Sequence, residues 1–309
     1  MKKLLKVLSL YWYDFRRYWR HSGSLRQTER EQVLGHLIHG YHRIEKGLTM
    51  PNFRAGFGKS AVAMLMKWVA TFENRYGTDD PQLRHAVGVL KEYVRVNSAI
   101  GASEMDAVRK FCEARPYAEE VEERETTALE FFSEVETPFP RFAASRHSVR
   151  HYSGEVAETT IREAVEIAKS APSACNRQPI RVYCVASRCK IDGMMELQGG
   201  NRGFGRDCDK LLVVTGDLHD GNWINERNSV YFDAGLFTMN LCYALHYSKV
   251  VHCILNWSTD ASTDRKARSL LEIPENEVIT ILIACGKPPE KFRVPCSPRK
   301  PIGDLLRFR

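Results

Sequence analysis

A chain of 309 residues with 43% hydrophobic and 27% charged residues has the make-up of a folded protein large enough for two compact units, and this excludes a disordered or low-complexity chain. The formal charge of +7 favours anionic partners in general, but no recognisable nucleic-acid module or basic–aromatic strand pattern accompanies it, so nucleic acid is not an expected partner. The nine cysteines form no C-x-x-C pair and read as the thiols of a reduced, cytoplasmic protein rather than a disulfide framework or a zinc site.

Residues 1–20 have the period of a helix. At about 100° per residue, Leu4, Leu5, Leu8, Tyr11, Trp12, Phe15 and Trp19 share one face, and Lys2, Lys3, Lys6, Arg16, Arg17 and Arg20 fall on the other, with Leu10 the exception. Lys6 interrupts the apolar stretch and no small-residue cleavage site follows, which argues against a signal peptide. No apolar run approaches the roughly 18 residues of a membrane span. Two readings stay open: an apolar face docked on the rest of the chain or on a second subunit, and peripheral contact with an anionic membrane surface.

Residues 24–135 read as helical throughout, with apolar residues at helical spacing in 33–48, 61–72, 83–96 and 121–132. Breaks fall where Gly and Pro cluster, at Gly47 to Gly58, Gly77 to Pro81, and Arg115-Pro116. His36, His39, His42 and Glu45 recur every three residues. Each such step drifts by about 60°, so a single metal could take two of them at most, and packed polar residues are the expectation. Gly56-Phe57-Gly58-Lys59 lacks the spacing of a phosphate loop.

Thr137-Pro138-Phe139-Pro140 is predicted to be a linker, because paired prolines resist helix and strand alike. Beyond it the pattern predicts helices over 159–170, 225–247 and 264–271 and strands over 180–186, 211–215, 250–255 and 278–285. Strands interleaved with helices imply a sheet covered by helices. The expected organisation is an all-helical extension over 1–136 followed by an α+β domain over 141–309.

Three segments of the C-terminal half fit one ligand. Arg146 and Arg150, with Ser148 between them, offer guanidinium groups suited to a phosphate and a carbonyl-rich ring. Ala171-Pro172-Ser173-Ala174-Cys175-Asn176-Arg177-Gln178-Pro179 is a proline-bracketed loop of small and amide residues between a helix and a strand. Pro295-Cys296-Ser297-Pro298-Arg299-Lys300-Pro301 is a second proline-fixed, basic turn.

Arg146-His147-Ser148-Val149-Arg150, followed after about one helix by the 171–179 loop, resembles the nitroreductase family. Gly286-Lys287-Pro288 and Ser297–Pro301 fit its closing segment, so the resemblance covers about residues 140–309. It implies an α+β fold with a mixed sheet flanked by helices, and a homodimer holding FMN at its interface. It further implies ping-pong reduction of a small nitro, quinone or enone acceptor at the expense of NADH or NADPH. By match to the family's motifs, Arg146, His147 and Ser148 hold the FMN phosphate and ribityl end, Arg299 joins them, and Arg150 reaches the pyrimidine side. Pro172, Ser173 and Asn176 come from the other subunit. Asn201 takes the place of a ring-contacting Asn, and Asn256 lies where a backbone N–H meets flavin N5. The family often has a lysine three residues after that Asn; Phe204 stands there in this chain. No side-chain acid–base pair is required, since the cofactor carries the hydride chemistry. A flavin-binding scaffold or sensor with little turnover is the alternative.

Overall fold

The computed structural model describes residues 1–309 except 52, 103–104 and 122–123. Two compact units divide the chain. One comprises Leu4–Arg124 with Pro295–Arg309, the other Met1–Lys3 with Glu125–Val294. This differs from a single boundary between 136 and 141. Phe131, Phe132 and Val135 belong to a core shared with Val149, Val251, Phe292 and Val294, so residues 125–136 fold with the C-terminal unit. Residues 295–309 go the other way: the Ser297 N–H donates to Glu45 Oε1 at 3.3 Å, and Lys300 pairs with Glu31 at 3.1 Å.

The helical unit is built on α1 (Lys2–His21), α2 (Arg30–Leu48), α3 (Lys59–Tyr76), α4 (Pro81–Ala99) and α5 (Asp106–Glu113). Its starts and stops follow local chemistry. Asp80 caps α4 by accepting from the N–H groups of Gln82 at 2.7 Å and Leu83 at 3.2 Å, with Pro81 in the first turn, where a missing N–H costs nothing. Gly77 ends α3 at φ 80°, a conformation that costs a side-chain-bearing residue about 1 kcal/mol or more. Leu34, Leu37, Ile44, Leu65, Val69, Phe72, Leu83 and Leu90 bury the facing stripes of α2, α3 and α4. Each large apolar side chain so buried stabilises the unit by roughly 1.5–3 kcal/mol before entropy is counted.

His36 and Glu45 of the His36–Glu45 series have partners within this unit. His36 stacks on Trp68 with ring centroids 4.4 Å apart and its Nε2 lies 2.8 Å from the Gly23 carbonyl. Glu45, fully buried, pairs with His85 at 2.7 Å.

The expected helix over 121–132 is corrected in its described part. Arg124–Thr127 is a strand, β1, and Ala128–Phe131 a short helix, α6. Thr126 and Thr127 are β-branched and favour extended backbone. Thr127 then caps α6 reciprocally, its Oγ1 accepting from Glu130 N–H at 3.2 Å while Glu130 Oε2 accepts from Thr127 N–H at 2.9 Å. Residues 122–123 of that expected helix lie outside the described residues. The expected linker is corrected too. α7 (Phe139–Ser145) starts directly at the prolines, with Pro138 as its extended cap and Pro140 in its first turn.

The C-terminal unit continues through α8 (Glu158–Ala168), β2 (Ile180–Val185), α9 (Arg188–Leu197), β3 (Lys210–Asp217), α10 (Ser229–Tyr247), β4 (Val251–Asn256), α11 (Ala261–Leu271), β5 (Glu277–Gly286) and β6 (Lys291–Val294). Helix and sheet mix as an α+β fold. Four strands lie in the order β2-β3-β5-β4, and the pairings among the described residues are antiparallel, with Val213 opposite Leu282 and Cys253 opposite Ala284. β3 and β5 are central and read as nearly continuous buried runs. β1 and β6 form a separate ribbon. Helices α8 and α10 cover one face, where Ala164, Ala168, Ala234, Leu241 and Leu245 meet Leu212, Val214 and Ile283. Gly216 allows β3 and α10 to approach, since a Cβ there would run into the Val230 side chain. No helix among the described residues is long and apolar enough to cross a membrane.

Candidate functional site

The segment Arg146–Arg150 leaves α7 and docks beside β4. Val149 is its anchor, fully buried, its N–H donating to the His252 carbonyl at 3.0 Å. Downstream, the Ser153 N–H donates to the Lys287 carbonyl at 3.0 Å, and the Lys287 N–H returns to the Gly154 carbonyl at 3.0 Å. A short run of backbone is thereby held between β4 and the end of β5.

Arg150 is the unusual member. It is 6% exposed, its guanidinium lies 5.8 Å from the Phe204 ring centroid, and its Nε and Nη1 are buried without a hydrogen-bond partner. An unsatisfied buried donor costs about 1–3 kcal/mol, more when charged, so this arrangement asks for an acceptor that is anionic or rich in carbonyl oxygens.

Arg146 stands near two buried imidazoles. His246 lies among Phe131 and Phe132, with its Nε2 2.8 Å from Ser145 Oγ. Burial first, and then the charges of Arg146 and His147, push its pKa down to about 4. His252 has Nδ1 3.1 Å from the Val250 carbonyl and a buried Nε2 without a partner. Burial, with smaller contributions from Arg146 and His246, takes it down to about 3. Both rings are therefore neutral at neutral pH, and the positive charge of this corner resides on Arg146. His147 turns its Nδ1 to the Ser145 carbonyl at 3.0 Å, and Ser148 is half-buried in the same run.

Asn201 and Asn256 are tied to this group through Phe204 and through Gln198, the latter without a motif of its own. The Phe204 N–H donates to the Asn201 carbonyl at 3.2 Å, so Phe204 links Asn201 to Arg150. Gln198 donates from Nε2 to the Asn256 carbonyl at 2.9 Å and accepts at Oε1 from Asn201 Nδ2 at 3.1 Å. The Asn201 amide nitrogen also donates to the Met195 carbonyl at 2.7 Å, so it serves the C-terminal end of α9. The available hint to Gln198 was a polar amide at the end of a helix, just before Gly199-Gly200.

The loop 171–179 lies elsewhere in the same unit. The Ser173 hydroxyl accepts from the Gln178 N–H at 3.0 Å, Ala174 N–H donates to Asp233 at 3.1 Å, and Arg177 pairs with Glu226 at 3.1 Å. Cys175, Asn176 and Gln178 have φ of 52°, 57° and 55°. Three side-chain-bearing residues in this sparsely populated region, each costing on the order of 1 kcal/mol, persist where the surrounding structure holds them. Pro172 and Ser173 help line a cavity of about 760 Å³ between α8, β2 and α10, together with Ile161, Arg181, Asp233 and Phe237. Arg146 and Arg150 do not line it. The structure thus gathers Arg146, His147, Ser148, Arg150, Asn201 and Asn256 around β4, and keeps Pro172, Ser173 and Asn176 in a second group. Arg299 belongs to the helical unit, where its Nη1 donates to the Ser297 carbonyl at 2.5 Å.

Comparison with known proteins bears on part of each group. Residues 143–196, spanning Arg146–Arg150 and the 171–179 loop, match the model of the nitroreductase family. A Staphylococcus epidermidis protein named as a candidate NAD(P)H:FMN oxidoreductase superposes with a TM-score of 0.50 at 19% identity, over 56% of this chain and 96% of that one. A candidate nitroreductase from Desulfovibrio desulfuricans, solved in complex with FMN, gives 0.47 at 23% identity over 56% and 98% of the two chains. A nitroreductase family protein from Streptococcus pneumoniae gives 0.47 at 21% identity over 56% and 100%. No curated protein matches the chain. Residues 143–196 are thus nitroreductase-like, the C-terminal unit shares the fold of the Staphylococcus epidermidis protein, and a helical extension precedes it.

Proposed function

We propose that the C-terminal unit binds FMN and acts as an NAD(P)H-dependent oxidoreductase on a small acceptor of nitro, quinone or enone type. The observation that carries this reading is Arg150, a buried cation with two N–H groups that lack an acceptor. A flavin's pyrimidine edge is a row of carbonyl oxygens and ring nitrogens, the acceptor such a group needs. When bound, the flavin supplies hydride acceptance and donation.

The chain's own residues then have distinct tasks. Arg146, His147 and Ser148 hold the phosphate and ribityl end, with neutral His246 and His252 adding no competing charge. Arg150 faces the ring and favours its electron-rich form by placing a cation at that edge. Phe204, in the family's lysine position, packs on Arg150 and leaves the positive charge there to it. Asn201 contributes through its carboxamide oxygen, its nitrogen being committed to α9. Asn256 offers backbone held by Gln198. Pro172, Ser173 and Asn176 act on a second copy's flavin in a homodimer. That role is supported by their separation from Arg150 and by α10, which is apolar yet exposes Tyr231, Phe232 and Leu236. Arg299 rests on the family resemblance alone. Phe204 also favours a second reading, a flavin held with little turnover.

Arg150→Met tests the central observation, because a structural arginine and a ligand-binding one respond oppositely. FMN affinity should fall by about 10- to 100-fold, the worth of a charge-assisted hydrogen bond. The flavin-free protein should melt no lower than wild type, since an unsatisfied buried charge has been removed. Unchanged FMN affinity with a lowered melting temperature would make Arg150 a structural residue and remove the basis of the proposal.

A further inference from the structure

We infer that helix α1 is a membrane-surface anchor that takes anionic phospholipid headgroups and the acyl region just beneath them. The helix runs for 20 residues, Lys2–His21, and buries none of them. Around its axis, Leu4, Leu8, Tyr11, Trp12, Phe15 and Trp19 fall within an arc of about 100° that contains no charged residue. These six are between 48% and 63% exposed. Trp12 stacks on Phe15 at 5.3 Å and Phe15 meets Trp19 at 5.9 Å, so the aromatic rings form one continuous strip. Among the described residues of the helical unit, none buries this face. The residues that are partly covered, Val7, Leu10 and Asp14, lie on another side of the helix.

Charge decides what covers the strip. Arg16 borders it on one side, while Lys2, Lys3, Lys6, Arg17 and Arg20 fill the back; Asp14, on the other flank, is the single acidic residue of the helix. A second copy of the helix would bring two strongly basic helices together, Arg16 flank to Arg16 flank, because a two-fold interface joins the same surface to itself. An anionic bilayer offers the complement: negative headgroups for Arg16 and the other basic residues, and an apolar layer for the strip, with Trp and Tyr at the level they prefer. The last turn is fixed to the following segment by Arg26 Nε donating to the Trp19 carbonyl at 3.3 Å and Gln32 Nε2 donating to the His21 carbonyl at 3.0 Å. The strip is thus presented at a set orientation to the helical unit.

The test is flotation of the full-length protein with vesicles of phosphatidylcholine alone, or of phosphatidylcholine with roughly a quarter phosphatidylserine. Binding should be at least about ten-fold stronger to the anionic vesicles and should weaken as salt is raised. Trp12→Ser with Phe15→Ser should cut it by about 100-fold, and Arg16→Glu with Arg17→Glu by a similar factor, with the thermal melt unchanged because all four side chains are exposed. Equal binding to both vesicle types would overturn the headgroup assignment. Absence of vesicle binding would overturn the whole inference, and if the Trp12/Phe15 variant then converted a dimer to a monomer, the strip would be a contact between copies instead.

Discussion

Protein carrying Arg146→Ala together with Arg299→Ala is expected to purify colourless, without flavin absorbance. Each guanidinium would give the FMN phosphate a charge-assisted contact worth roughly 1.5–3 kcal/mol, so losing both weakens binding by about a thousand-fold or more. The single variants divide the claim. Arg146 sits in the run anchored by Val149 on β4, beside two neutral imidazoles, and its loss alone should remove most of the effect. Arg299 lies in a segment that folds with the helical unit, so Arg299→Ala asks separately whether that segment reaches the cofactor. A double variant that stays fully yellow would mean the phosphate is held elsewhere.

Stability is expected to fall steeply on mild acidification, from about pH 6.5 towards pH 4.5. His246 and His252 have folded pKa values of about 4 and about 3, below the ordinary 6.5, because burial disfavours the imidazolium. The unfolded chain therefore takes up protons first as the pH drops. The stabilisation is complete above about pH 6.5 and is lost progressively until each folded-state pKa is reached. At about 1.4 kcal/mol per unit, each ring contributes a loss on the order of 2–3 kcal/mol by about pH 4.5. His39, also lowered chiefly by burial, adds to the same limb. Carboxylates held low, such as Asp217, act at more acidic pH. Thermal melts across this range measure the slope. His246→Phe is the control, since a phenyl ring suits the surroundings of Phe131, Phe132 and Phe142. It should reduce the acid loss substantially. An identical slope in that variant would show that His246 is not the group responsible.

Most elements of the fold were legible because their periods were unambiguous. The pattern over 83–96 becomes α4 with its start set by Asp80 and Pro81, and the apolar runs at 211–215 and 278–285 become the two central strands. The misreadings have local causes. Thr126 and Thr127 carry a strand signal too short to stand out between helical patterns, and β1 exists only by pairing with β6, far along the chain. The prolines at 138 and 140 look like a linker to a rule about helix interiors, yet they occupy the cap and first turn of α7, where proline is tolerated. The candidate site divides in the same way. Arg146, Ser148 and Arg150 stood out as candidates through their chemistry and through the resemblance to the nitroreductase family. Gln198, His246 and His252 could not, because an amide before two glycines, a helix residue and a strand residue become neighbours of the site only through tertiary packing.

The central proposal is a flavin held by the Arg146–Arg150 run and reduced by a nicotinamide nucleotide. The visible absorbance spectrum of the purified protein, titrated with FMN and then exposed anaerobically to NADH and to NADPH, tests it most directly. The predicted result is a bound yellow flavin at about one per chain that bleaches with one of the two donors and recovers on adding a quinone or nitroaromatic acceptor. Saturating FMN with no bleaching by either donor would contradict the oxidoreductase reading and favour a flavin-holding scaffold. Protein that stays colourless and takes up no FMN would contradict the account itself.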